Sequence, residues 1–146
     1  MSTKHALLLN AKIGTAAFRD SIPIPIPGQG EVLVKVQDIA LNPIDPLYVA
    51  HPPGTTGRII GSDFAGTIAA FGPSALNLIT TPNHVTVNLQ IGDIVAGFLQ
   101  GACSVNPRAG AFAEYSIVNF DLVWRVPDEV AVEAAAGVNL CAFTDA

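Results

Sequence analysis

The chain has 146 residues, half of them hydrophobic and 13% charged, with a net charge of −5. That length buries a real core, while seven Lys plus Arg with no basic run leave nothing to neutralise phosphates, so no nucleic-acid partner is expected. There is no apolar run of about 18 residues, the run after His5 is too short for a secretory core, and two cysteines make no disulfide framework. A cytoplasmic, reducing setting without a membrane partner follows as the expectation.

Residues 4–10 (KHALLLN) read as a first strand. Residues 22–28 alternate isoleucine with proline; each proline removes a ladder donor, so this is an extended connector or edge and not a central strand. Gly28-Gln29-Gly30 makes a turn, and residues 31–41 (EVLVKVQDIAL) follow as the clearest strand. Val32, Val34 and Val36 fall on one face of it, with Lys35 and Gln37 on the other.

Residues 39–70 organise the chain. The strand runs into Asn42-Pro43-Ile44-Asp45, a Pro/Gly-rich loop follows, and a second strand opens on Gly61-Ser62-Asp63-Phe64-Ala65-Gly66. Prolines that stiffen a link between two apolar strands hold polar side chains still beside a pocket. Beyond Phe71-Gly72-Pro73, residues 74–90 read as a polar loop with an edge strand at 84–89. Gly92-Asp93 turns the chain into a strand at 94–99, and a loop at 100–110 carries Cys103. Residues 111–118 and 122–126 are strand-like, and the alanines from Val132 onward favour the one helical stretch, ending by Phe143. Short strands with Gly/Pro punctuation predict a mainly β fold, a barrel or sandwich with a short C-terminal helix, and residues 1–146 as one domain.

Six segments stand in an order that carries a resemblance. They are Pro27-Gly28-Gln29-Gly30-Glu31-Val32, Ala40-Leu41-Asn42-Pro43-Ile44-Asp45, Gly61-Ser62-Asp63-Phe64-Ala65-Gly66, Gly92-Asp93-Ile94-Val95-Ala96-Gly97, Gly110-Ala111-Phe112-Ala113-Glu114-Tyr115, and Val126-Pro127-Asp128 followed by Glu133-Ala134-Ala135. Together they resemble the N-terminal GroES-like domain of the medium-chain dehydrogenase/reductase superfamily. Within it the chain is most similar to the zinc-free quinone and enoyl reductase branch, and to the trans-acting enoyl reductases that serve fungal polyketide synthases. The resemblance implies a GroES-like, partly open β-barrel with a short C-terminal helix. It also implies a cleft wall facing a polyketide-like or enoyl substrate, with a polyketide synthase or a Rossmann-bearing protein as partner.

The resemblance also frames what is missing. The zinc-dependent relatives place a cysteine where this chain has Leu41-Asn42, and His-Glu where it has Ser62-Asp63. Catalytic zinc needs three converging protein ligands, and His5, His51, His84 and the cysteines show no such spacing, so no metal is expected. Gly28-Gln29-Gly30 lacks the third glycine of a dinucleotide turn and does not lie between strand and helix. No cofactor is therefore expected for this chain alone; NADPH would enter only with a Rossmann domain or partner, and the chain reads as a truncated reductase.

Four residues are catalytic candidates: Asn42, Asp45, Tyr48 and His51. Asn42 and Asp45 stand where the relatives line the cleft floor, although Asx side chains at a turn also bond their own backbone. Tyr48 can donate a proton or hold a carbonyl oxygen, and His51 can act as acid or base near neutral pH; both also suit an exposed loop. Relatives often follow the Asp with Trp-Lys, whereas Pro46-Leu47 follow here, removing a cation. Asp63, inside an apolar strand, reads as a structural acceptor for a loop backbone. Cys103 has no basic neighbour and reads as an inert thiol.

Three functions remain open at this point. The chain is the substrate-side domain of an enoyl-reductase-like protein of secondary metabolism, or a stand-alone non-redox cyclase or isomerase using the inherited cleft, or a binding module or inactive remnant. The first expects an exposed apolar face around residues 132–143, where a Rossmann domain would dock.

Overall fold

A computed structural model describes residues 2–73, 89–140 and 142. Strand β1 (Thr3–Asn10) pairs antiparallel with β2 (Thr15–Pro23), from Thr3 opposite Pro23 to Asn10 opposite Thr15, with a register shift between Lys4 and Ala6. The larger sheet holds β3 (Glu31–Ala40), β4 (Asp63–Phe71), β5 (Ile94–Phe98), β6 (Tyr115–Asn119) and β7 (Val123–Arg125). Its order is β6-β3-β4-β5-β7, and every paired neighbour is antiparallel. Bridges from Ala6 to Ala113 and from Leu8 to Ile59 tie the small sheet across the large one. The result is the expected mainly β, partly open barrel.

The core lies between the two sheets. Leu9, Val32, Val34, Phe64, Ile68 and Val95 have essentially no solvent exposure and form one cluster with Phe112, Val118 and Val123. Burying each such side chain stabilises the fold by about 1.5–3 kcal/mol. Cys103 belongs to this cluster: its thiol donates to Gln100 Oε1 at 3.4 Å and accepts from Asn106 N–H at 3.3 Å. It is a buried packing residue.

Several boundaries depart from the sequence reading. Residues 15–21, not assigned to any element by pattern, join Ile22 and Pro23 in β2, because β1 offers them an antiparallel partner. The strand expected over 111–118 forms only from Tyr115: Ala111 and Phe112 donate instead to Gly61 O (3.0 Å) and Ile60 O (2.9 Å), away from the ladder. The edge strand expected at 84–89 lies, apart from Leu89, outside the described residues.

Among the described residues, a helix outside the expected C-terminal stretch is present. The segment after Pro43 is a helix, α1 (Ile44–Ala50), not a loop. Pro46 sits in its first turn, where a missing N–H costs nothing. The Asp45 carboxylate reaches back to the backbone N–H of Asn42 (2.8 Å), and Asp45 N–H donates to Asn42 O (3.0 Å). This pair of bonds closes a tight turn that leads into the helix.

Helix α2 (Val132–Ala136) corrects a second expectation. Its apolar face is not free for docking: Ala135 and Ala136 are fully buried against Ala65, Ala96 and Val126 of the large sheet. Small side chains let the helix lie close to the strands. Asn139 closes its end, donating to Ala135 O and Ala136 O at 3.3 Å while accepting Trp124 Nε1–H at 2.7 Å. The exposed apolar side chains nearby are Val138, Leu122 and Phe98, around a shallow hollow with Trp124.

Candidate functional site

The antiparallel register of β3 and β4 decides where the polar residues meet. Ala40 pairs with Asp63, so the chain leaving β3 at Asn42 lies beside the chain entering β4. Asn42 Nδ2 donates to Asp63 Oδ2 at 3.2 Å, and Leu140 N–H donates to Asp63 Oδ1 at 3.0 Å. Asp63 is fully buried, and it joins the end of β3 to the segment beyond α2. Its observed bonds are those of a structural acceptor.

Gly61 sets the entry to β4. It has φ +88, and a Cβ there would stand 2.0 Å from Phe112 Cδ1, so only glycine fits. Gly61 O accepts from Ala111 and Ser62 O accepts from Leu99, both at 3.0 Å. The backbone that carries Ser62 and Asp63 is thereby held on both sides.

A cavity of about 440 Å³ opens at this junction. Pro43, Ile44, Leu47 and Tyr48 from α1 and its approach form one wall, and Phe98, Leu99 and Leu140 form the other. Asn42, Ser62 and Gln100 are the polar residues of the lining. A mostly apolar cleft with a few polar groups suits a small organic molecule better than a charged one.

The four residues singled out in the sequence separate here. Asn42 is buried and Tyr48 half-buried, and both line the cavity. Asp45 is buried behind the wall and not on it. His51 ends α1, exposed, outside the lining, with its N–H bonded to Leu47 O at 2.7 Å. The geometry thus brings two of the four to the cavity, supports them with a third and leaves His51 apart.

Burial raises the Asp45 carboxyl above its ordinary value of 3.8. The Asn42 N–H opposes that, the neighbouring Asp63 charge adds to it, and the Ser62 hydroxyl offsets it slightly. Asp45 Oδ1 and Ser62 Oγ are nonetheless both buried without a hydrogen-bond partner. The two groups are near enough to feel one another but do not meet hydrogen-bond geometry.

Sequence reasoning did not single out Ser62, Leu99, Gln100 or Leu140 as site residues. Ser62 had a signal, as the polar residue between Gly61 and Asp63. Leu140 had none, since only the return of the chain past α2 places it there.

With the barrel and the cleft described, comparison with known proteins becomes decisive. Residues 28–128 match the model of the alcohol dehydrogenase GroES-like domain. The chain belongs to that family. Among curated relatives, the trans-enoyl reductase traG of Penicillium crustosum is 39% identical over 131 residues, covering 90% of this chain and 33% of the relative. The trans-enoyl reductase caaB of Aspergillus niger is 38% identical over the same length, again covering 90% and 33%. This GroES-like chain therefore spans about a third of the length of the curated relatives it matches. Among solved structures, an alcohol dehydrogenase superfamily protein of Novosphingobium aromaticivorans superposes with a TM-score of 0.75 at 26% identity, covering 98% of this chain and 40% of that one. A mycobacterial quinone oxidoreductase gives 0.70 at 31% identity, covering 94% and 37%.

The Gly28–Gly30 turn does not fit a nucleotide phosphate. Gly28 N–H is taken by Glu31 Oε2 at 2.6 Å, so an anionic carboxylate occupies the place a phosphate would need. Arg108 neutralises that carboxylate through two contacts, at 2.6 and 2.8 Å. The turn is a structural lock ahead of β3. Among the described residues, no three His, Cys, Asp or Glu side chains are placed to hold a metal ion.

Proposed function

We propose that this chain is the substrate-side domain of an enoyl-reductase-like protein of polyketide or other secondary-metabolite biosynthesis. The observation that carries the reading is the apolar cavity between α1 and β5, with Asn42 and Tyr48 on its wall, in a chain 39% identical to one trans-enoyl reductase. The apolar lining would hold the acyl chain. Asn42, fixed by Asp63, and Tyr48 would orient the carbonyl end. Confining the acyl group in one pose is the contribution such a wall can make.

Hydride chemistry on this reading belongs to NADPH bound by a dinucleotide-binding unit, since the chain's own glycine turn does not fit a pyrophosphate. Burial of Ala135 and Ala136 argues against α2 as the docking face for that unit. The hollow bordered by Phe98, Leu122 and Val138 is the apolar surface left beside the cleft. A polyketide synthase would present the acyl substrate.

The test is a chimera in which this chain replaces the N-terminal third of the Penicillium crustosum trans-enoyl reductase. The folded chimera should consume NADPH with an enoyl thioester and yield the saturated product. A folded chimera that binds NADPH yet neither binds nor reduces the thioester would overturn the reading. Turnover of the thioester by the 146-residue chain without nicotinamide would favour a non-redox cyclase or isomerase instead.

A further inference from the structure

Ser62 is the polar residue of the cavity whose side chain has no assigned work. The residue is about 1% exposed, it lines the cleft, and its Oγ makes no hydrogen bond. A buried hydroxyl without a partner is costly, and native chains seldom keep one without use. Alanine at this position would carry no such cost.

We propose that Ser62 Oγ–H is the hydrogen-bond donor for the carbonyl oxygen of an acyl ligand held in the cavity. This rests on the acyl-binding reading above and adds the atom that recognises the carbonyl. The backbone supports the assignment, because Gly61 at φ +88 and the bond from Leu99 N–H to Ser62 O fix where the side chain emerges. Rotation about χ1 then moves the hydroxyl between staggered positions without disturbing the strand. One N–H of the neighbouring Asn42 amide is held by Asp63, which fixes that side chain beside the carbonyl site that Ser62 serves. The competing acceptor is Asp45 Oδ1, which also lacks a partner and lies near enough for the Ser62 hydroxyl to draw the Asp45 carboxyl down, so a ligand oxygen would compete with it for this donor. The remaining lining is apolar apart from Gln100 and the Tyr48 hydroxyl, which suits a hydrocarbon chain with its acceptor at one end.

The experiment uses the 146-residue chain with two probes of equal chain length. One is trans-2-octenoyl N-acetylcysteamine thioester; the other is the octyl N-acetylcysteamine thioether, which lacks the carbonyl oxygen. Dissociation constants are measured calorimetrically for the wild type, Ser62→Ala and Ser62→Cys, with melting temperatures of the ligand-free proteins. The wild type should bind the thioester on the order of tenfold more tightly than the thioether, as one hydrogen bond implies. Ser62→Ala should lose that preference while keeping its affinity for the thioether, and Ser62→Cys should fall between. Free Ser62→Ala should melt no lower than the wild type, since no bond is removed.

Equal weakening of both probes by Ser62→Ala, or a lowered melting temperature, would show a structural hydroxyl and overturn the assignment. Should Ser62→Ala fail to fold, the same conclusion follows. Equal affinity of the wild type for the two probes would sink the Ser62 assignment while leaving the acyl cleft standing. Binding of neither probe would overturn both. An active chimera indifferent to Ser62→Ala would again remove only the Ser62 assignment.

Discussion

The Asp63 carboxylate accepts the backbone N–H of Leu140 at 3.0 Å across 77 residues of chain, while its other oxygen holds Asn42. Both partners line the same cavity. One buried acceptor thus sets two walls of the cleft. Asp63→Ala leaves a half-buried N–H and a buried amide without this acceptor, and should cost about 2–4 kcal/mol in urea unfolding. The variant should also weaken binding of the enoyl thioester. A loss below about 0.5 kcal/mol, within the range of ordinary surface changes, would show that the clamp is dispensable.

Asp45 should impose a pH dependence of its own. Burial raises its folded carboxyl above the ordinary value of 3.8, so the unfolded chain releases this proton first. The contribution is fully favourable below the unfolded value and is lost as pH rises through the folded value. Stability from this residue therefore falls with rising pH. Asp45→Asn keeps an oxygen for the Asn42 N–H and removes the ionisation. Its stability relative to the wild type should improve between pH 3.5 and pH 7.5. Denaturant titrations at the two pH values check this, and a gap that does not change with pH would contradict it.

Gly61→Ala should be among the most disruptive single-methyl additions in the chain. The new Cβ would meet the Phe112 ring at 2.0 Å and would sit at φ +88. Strain of the backbone and overpacking of the ring together predict a loss of roughly 3 kcal/mol. Gly57→Ala is the control: φ there is +94, but a Cβ meets nothing within 4 Å, so only backbone strain of about 1 kcal/mol remains. Thermal unfolding of the two variants side by side separates the contributions.

Tyr48 and His51 should behave differently although they share one short helix. Tyr48 faces the cavity, whereas His51 is exposed beyond it. Tyr48→Phe should weaken the enoyl thioester by roughly threefold to tenfold if its hydroxyl contacts the ligand. His51→Ala should leave affinity within about twofold, since it removes no contact. Calorimetry with the same probe decides, and a larger effect from His51→Ala would reverse the placement.

The ladder from Gly28 to Asp128 was legible because it is local chemistry. Glycines mark turns, alternating valines mark β3, and a run of six segments in fixed order identifies the barrel. Asn42 and Tyr48 could be singled out for the same reason, since they follow the clearest strand directly. Helix α1 was missed because two prolines and a short length hide a helix whose first turn is held by Asp45 reaching Asn42. β2 was missed because its residues carry little alternation of their own and owe their conformation to β1.

What the sequence determined by itself is the family, the mainly β architecture and the absence of a glycine-rich dinucleotide turn within these 146 residues. Those properties rest on residue type and spacing along the chain. What only the tertiary structure decided is which polar groups share a space. Antiparallel pairing of Ala40 with Asp63 places Asn42 beside Asp63, and the return past α2 adds Leu140. That pairing also leaves Ser62 buried on the cavity wall without a partner. Burial and hydrogen-bond satisfaction depend on contacts between segments far apart in the chain, and no local pattern records them.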